Sequence, residues 1–356
     1  MNVLPASVIN ALINPVLLIT TDRKVVFANR AAQTLLGRDP TGVDLSLSLR
    51  HPTILEAVDA ILKDGEIRSE EISLPGIIRQ TFQFHVTPID MDEDQINDDD
   101  LAIMLVLQDM TAAIRADQMR VDFVANASHE LRSPLSSILG FIETLQGPAQ
   151  NDGKARARFL KIMHRETLRM SRLINDLLSL SRVEIDEHVR PQGHVNLLII
   201  LANVVEILAE KATKKNMSII LKKNAPAIEN SVIIPGDTDQ LIQLFRNLIE
   251  NAIHYGFEGS DIVVGITVLE KTASVTITDQ GIGIAKNDIP RLTERFYRVD
   301  QARSNNQDPN THDTISSTGL GLAIVKHILR RHRGRLTVES IIDQGSTFKV
   351  LLPGVE

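Results

Sequence analysis

The sequence predicts a multidomain α+β chain, with two mixed regions of helix and strand flanking a pair of long amphipathic helices. Residues 1–110 alternate short apolar runs with turn residues. Residues 111–190 carry apolar positions at heptad-like spacing with a single short break. From 191 to 356 helices and strands alternate again. A chain of 356 residues is long enough for two or three domains with sizeable cores.

The hydrophobic content of 43% and charged content of 23% fit a soluble globular protein. A net charge of −7 argues against nonspecific nucleic-acid binding. The absence of cysteine excludes disulfides, thiolate catalysis and cysteine-ligated zinc, iron–sulfur or flavin sites. No apolar run reaches the length of a membrane span; the candidates at 101–107 and 197–209 are too short or are interrupted by Asn203 and Glu206. The first residues lack the basic start and apolar stretch of a signal peptide. The expectation is a soluble chain making no membrane contact of its own.

In the first region, residues 16–19 form an apolar strand, Asp22-Arg23-Lys24 a turn and residues 25–28 a second strand. A helix over 30–36 is ended by Gly37. Phe82, Phe84 and Val86 alternate on one strand face, and 101–107 is a continuous apolar strand. Strand, turn, strand, Asn29, then a short helix resembles the start of a PAS sensor domain. The acidic run 90–100 reads as a solvated loop. Calcium binding would need the central glycine and terminal glutamate that it lacks. His51 and His85 are conceivable haem ligands, but each reads more simply as a structural residue.

The first long helix runs to about residue 146, where Gly147-Pro148 closes it. Asn151-Asp152-Gly153 starts the second. With Val124 at heptad position a, Ala127 falls at d, and Leu131, Ile138 and Leu145 at successive a positions. His129 then lies at f, facing solvent. Pro134 crowds the carbonyl of Glu130 and predicts a kink beside the histidine. On the second helix Met163, Met170, Leu177 and Glu184 are seven apart, with Leu173 and Leu180 interleaved; this stripe reads as core. His164 and His188 read as surface residues. Two such helices cannot bury both apolar faces alone, so pairing with a second copy as a four-helix bundle is expected.

The last region reads as helices at 197–214 and 237–255 with strands at 218–222, 261–268, 274–279, 335–340 and 346–352. It holds four motifs: Asn247-Leu-Ile-Glu-Asn251-Ala-Ile-His254-Tyr255; Asp279-Gln-Gly281-Ile-Gly283, straight after a strand; Glu294-Arg-Phe296-Tyr297-Arg298-Val-Asp300; and Thr318-Gly319-Leu320-Gly321, opening a helix. Gly345-Ser-Thr347-Phe348 follows. Asn247 and Asn251 share a helix face, and amide oxygens suit a hard cation. The glycines let backbone approach a ligand, and a helix N-terminus favours phosphate.

The segment from Phe123 to Leu135, Phe-Val-Ala-Asn-Ala-Ser-His-Glu-Leu-Arg-Ser-Pro-Leu, resembles the H-box of the sensor histidine kinases. The four motifs resemble the ATP-binding fold shared by those kinases, gyrase, heat-shock chaperones and mismatch-repair ATPases. This resemblance implies a PAS-like α/β sensor at 1–110, a dimeric helical-hairpin four-helix bundle at 111–190 and an α/β-sandwich ATP domain at 191–356. It implies His129 as nucleophile for the γ-phosphoryl of ATP and Glu130 as the group that accepts or orients its ring proton. It also implies Asn251 as the principal magnesium ligand, and Asp279 as the acceptor for the adenine amino group. Asn247, His254, Tyr255, Gly281, Gly283, Phe296, Arg298, Thr318, Gly319, Leu320, Gly321 and Thr347 line the nucleotide, with 301–317 as a lid. The partners implied are a second copy of the chain and a response-regulator receiver domain. The location implied is the cytoplasm, either free or as the cytoplasmic portion of a membrane-anchored kinase.

The related ATPases usually carry a water-activating glutamate four residues before the metal asparagine; Asn247 stands there, which suits a kinase. His254 replaces a commonly found lysine, and Ser133 replaces a threonine whose hydroxyl is linked to dephosphorylation of the partner. The run Phe141-Ile-Glu-Thr-Leu-Gln-Gly-Pro148 is most similar to the phosphate-regulon sensor kinases of alphaproteobacteria. Two other readings stay open: a degenerate kinase serving as a PAS-linked scaffold, and a regulator-directed phosphatase relying on Ser133.

Overall fold

The structure is a computed structural model that describes residues 6–74, 80–89, 101–223, 231–299 and 318–355. The acidic run 90–100 and the run 301–317, read from the sequence as a lid, lie outside the described residues. The chain divides into two compact units, 1–124 and 125–356.

The first unit contains α1 (Ala6–Asn10), β1 (Val16–Thr20), β2 (Val25–Ala28), α2 (Arg30–Leu36), α3 (Leu45–Ser48), α4 (Pro52–Asp64), β3 (Arg68–Leu74), β4 (Gln80–Pro88) and β5 (Leu101–Asp109). The strands form an antiparallel sheet in the order β2-β1-β5-β4-β3. Phe82, Phe84 and Val86 are all buried, as their alternation requires, in a core with Leu17, Leu105 and the α4 residues Ile54, Val58 and Ile61. The fully buried Asn29 ties the first strands together. Its Oδ1 accepts from Val16 N at 3.0 Å and Ala32 N at 2.9 Å, capping α2, while its Nδ2 donates to Asn14 O at 2.9 Å. Helix α4 goes beyond the sequence reading, although Pro52 at its first turn and apolar residues at 54, 57, 58 and 61 announce it.

Helix α5 (Thr111–Gln146) stays one continuous helix through the buried Pro134. Helix α6 (Gly153–Ile185) starts at Asp152, whose Oδ1 accepts from Lys154 N and Ala155 N. Phe141 and Phe159 stack at 5.0 Å and hold the hairpin together. Within the single chain Leu131, Ile138 and Leu145 are half-buried, whereas Val124 is 59% exposed. The heptad core is therefore only half covered, because α6 shields one flank and Val124, Leu135, Leu139 and Ile142 line the other.

The remainder comprises β6 (His194–Asn196), α7 (Leu197–Thr213), β7 (Ser218–Lys223), β8 (Ile233–Pro235), α8 (Thr238–Tyr255), β9 (Asp261–Leu269), β10 (Thr272–Asp279), α9 (Gly321–Arg331), β11 (Arg335–Ile341) and β12 (Gly345–Pro353). The main sheet runs β11-β12-β10-β9-β7, with only β7 and β9 parallel. Helices α7, α8 and α9 supply Leu201, Phe245, Leu248 and Ile324 to a core completed by Val264, Val275 and Val350. This is the two-layer α/β sandwich expected from the sequence.

Candidate phospho-acceptor and nucleotide sites

His129 is exposed on α5, at the outward heptad position. It faces a cleft of about 250 Å³ whose other walls are Asn126 and Glu130 of α5 and Arg291, Glu294, Phe296 and Tyr297 of the third motif, with Arg295. Glu130 engages Arg169 of α6, with Oε2 2.8 Å from the guanidinium. The carboxylate assigned to the imidazole proton is thus held by the opposing helix in this conformation. Ser133 lies exposed one turn beyond His129.

The nucleotide motifs gather at the end of β10. Along that strand Ala273, Val275 and Ile277 point into the core, and period-two alternation carries Asp279 into the same row. The residue is only 5% exposed, and burial pushes its carboxyl up to about 6 despite a hydrogen bond from Ser346 N at 3.3 Å. Gly283 has a φ of 65°, and a Cβ there would lie 2.1 Å from Ile341 O. The backbone at this turn is therefore closed to any side chain. Gly281 bridges to Gly256, just after Tyr255, and so joins the second motif to the end of the first.

On α8 the Asn247 Nδ2 donates to Gly321 O at 3.2 Å. Asn251, one turn on, is half-buried. Glu250 points elsewhere, to Lys211 of α7 at 2.8 Å, which removes it from the water-activating position. His254 and Tyr255 meet edge to face at 4.6 Å. The third and fourth motifs are joined by Phe296 N donating to Gly319 O at 2.9 Å. Leu320 is fully buried, Arg298 is half-buried, and the Thr347 hydroxyl meets that of Thr278 at 3.0 Å.

Asn251, Asp279 and Gly281 do not line the His129 cleft. The histidine instead sits beside the third motif, at residues 291–297. A row of contacts between α6 and the sandwich fixes this arrangement. Thr318 Oγ1 donates to Asp176 Oδ2 at 2.8 Å, Ser179 Oγ to Gln243 Oε1 at 2.8 Å, and Arg295 to Glu184 at 2.5 Å. His327 Nδ1 lies 2.6 Å from Glu187 Oε2. Sequence reasoning missed Arg169, Asp176, Arg291 and Arg295, because isolated charges on an amphipathic helix or a turn look like ordinary solvated residues.

Residues 119–185 match the family described as the His Kinase A (phospho-acceptor) domain. Residues 236–356 match that described as histidine kinase-, DNA gyrase B-, and HSP90-like ATPase. The chain is 35% identical over 343 residues to the phosphate regulon sensor protein PhoR of Pseudomonas aeruginosa, covering 95% of this chain and 71% of that protein. It is 33% identical over 253 residues to the sensor histidine kinase WalK of Bacillus subtilis, covering 70% of this chain and 39% of that protein. Among solved structures, histidine kinase ThkA in complex with response regulator protein TrrA is similar at 18% identity and a TM-score of 0.49, over 98% of each chain. An ATP-binding sandwich beside a phospho-acceptor hairpin, aligned along nearly the whole chain with PhoR, establishes that this protein belongs to the sensor histidine kinases, the ATP-dependent protein histidine kinases of two-component systems.

Proposed function

We propose that His129 is autophosphorylated from Mg-ATP and then passes its phosphoryl group to an aspartate of a separate response regulator. One ring nitrogen attacks the γ-phosphorus, the P–O bond to the β-phosphate breaks, and ADP leaves. The observation that carries this reading is an exposed imidazole on α5 within the same compact unit as a desolvated Asp279 and the glycine turns around it. Such chemistry needs positioning and charge neutralisation more than covalent help.

Asn251 offers an amide oxygen, and Asn247 keeps its own free of the bond that its Nδ2 makes. These hard donors fit magnesium, which takes few protein ligands and completes its shell with phosphate and water. A bound magnesium ion would neutralise charge on the triphosphate. In this reading Asp279 receives the adenine amino group, and Thr318, Gly319 and Gly321 face the phosphates. The sandwich must then swing away from the cleft described here for the γ-phosphate to reach His129. The first unit acts as a PAS-type sensor, and the uncovered face of α5 and α6 pairs with a second copy. In the same reading Ser133, exposed one turn from His129, serves regulator dephosphorylation. The reading places the chain in the cytoplasm, with its ATP and receiver domains, either free or as part of a membrane-anchored kinase. No helix among the described residues is long and apolar enough to cross a membrane.

Incubation with γ-labelled ATP and magnesium tests the proposal. The expected result is an acid-labile, base-stable label in the wild type that is absent from His129→Gln. ATP binding without any label in the wild type would sink the kinase reading.

A further inference from the structure

We infer that Arg291 forms a holding site for the phosphoryl group once it is on His129, separate from the nucleotide site. The inference rests on His129 being the phospho-acceptor. A phosphorylated imidazole carries close to two negative charges and is hydrolytically labile, so a cation beside it matters. The His129 cleft, at about 250 Å³, has room for a phosphoryl group and water. It also contains two guanidinium groups and two carboxylates.

Their commitments differ. Arg295 is drawn to Glu184 at 2.5 Å, and both are about 70% covered. Glu130 is neutralised by Arg169 at 2.8 Å, so it does not repel an incoming anion. Arg291 stacks over the Tyr297 ring, 4.2 Å from its centroid, and that ring is fixed by a 2.7 Å hydrogen bond from its hydroxyl to Asp288. Among the described residues, the remaining side-chain partner of Arg291 is Glu294 at 3.3 Å, with both side chains more than half exposed. Exposed pairs of this kind contribute little to stability. Exchanging Glu294 for a phosphoryl dianion therefore costs little, and a guanidinium holds such a group with two parallel hydrogen bonds. Asn126 lies three residues before His129, hence on the same helix face, and adds an amide donor to the cleft.

The chemistry gives this site a purpose. Hydrolysis of a phosphohistidine is promoted by protonation of the leaving imidazole. A guanidinium beside the phosphoryl group opposes that added positive charge. The conformation described here, with Asn251, Asp279 and Gly281 outside the His129 cleft, thus protects the phosphoryl group between its receipt from ATP and its delivery to the regulator.

The test uses the full chain loaded with potassium phosphoramidate, which phosphorylates histidine without ATP. Background from the other histidines is subtracted with His129→Gln. The half-life of the His129 label is compared in wild type, Arg291→Gln and Arg291→Lys. We expect five- to tenfold faster hydrolysis in Arg291→Gln, an intermediate rate in Arg291→Lys, and unchanged melting temperatures. Equal half-lives in all three would overturn the holding site, whatever the kinase activity. Arg291-dependent half-lives in a wild type that takes no label from ATP would uphold the site and refute the kinase reading.

Discussion

Asp176 of α6 accepts a 2.8 Å hydrogen bond from the hydroxyl of Thr318, the residue that opens the turn before α9. The same hydroxyl accepts from Leu320 N at 3.3 Å, so one side chain serves both the hairpin and the glycine turn. Burial holds the Asp176 carboxyl above its usual range, against the Thr318 bond and the charge of Arg246. A nucleotide phosphate at this turn would meet a carboxylate of like charge. Asp176→Asn keeps an acceptor for Thr318 and removes the charge. It is expected to tighten ATP binding two- to fivefold, the equivalent of about 0.4–1 kcal/mol, as read by displacement of a fluorescent nucleotide. Unchanged affinity would show that docking of α6 does not oppose nucleotide.

On the proposed reading, Asp279 sets activity against stability. Its carboxyl is raised from 3.8 to about 6 by burial. Because the folded value exceeds the unfolded one, the folded state is favoured when Asp279 is protonated, and that advantage is lost as pH rises from about 4 through 6. At neutral pH the ionised group costs folding on the order of 3 kcal/mol. Asp279→Asn is therefore expected to melt higher than wild type without nucleotide. It should also bind ATP roughly 10- to 100-fold more weakly, having lost a charged acceptor. In the wild type, ATP affinity should fall about tenfold per pH unit below 6. A calorimetric titration between pH 5 and 7.5 checks both the slope and its sign.

The sandwich and its nucleotide motifs were legible because each signal is local. Glycine spacing, the alternation along β10 and the Asn247–Asn251 face all lie within one element. The exposure of His129 followed from heptad phase alone. The role of Glu130 was less legible, since its partner Arg169 is 39 residues away on another helix. Asp176 and Thr318 are 142 residues apart. No periodicity encodes such a meeting; it depends on how the sandwich docks on α6. The heptad reading also placed Val124 in a core that the single chain leaves open. A seam and an intermolecular face share one spacing.

That open face makes its own prediction. Val124, Leu135, Leu139 and Ile142 on α5 and Leu160, Ile174 and Leu178 on α6 are each between 38% and 59% exposed. Burying a leucine is worth about 1.5–3 kcal/mol, so an uncovered row of this size favours association. Leu139→Glu is expected to shift the chain from dimer to monomer at micromolar concentration in light scattering. A wild type that is monomeric under those conditions would refute the bundle.

Two glycines of the fourth motif should respond oppositely to alanine. Gly319 has a φ of 71°, and a Cβ there would lie 2.8 Å from the Cα and carbonyl carbon of Phe296. Backbone cannot yield as a flexible side-chain end can, and left-handed φ adds roughly 1 kcal/mol of strain for a non-glycine residue. Gly319→Ala should therefore lower the melting temperature and separate Phe296 N from the carbonyl that it now meets at 2.9 Å. Gly321 opens α9, and its nearest Cβ neighbour would be Asn247 Cγ at 3.7 Å, an ordinary contact. There alanine trims the freedom of the unfolded chain, a gain of about 0.4–1 kcal/mol. Gly321→Ala should accordingly melt at or above the wild-type temperature. Its added methyl stands against Asn247, on the side where phosphate oxygens would approach, so ATP affinity should fall. Thermal melts and nucleotide titrations of the two variants separate the roles: Gly319 for the path of the backbone, Gly321 for access to the helix end. If Gly321→Ala melts lower and Gly319→Ala does not, those assignments are reversed.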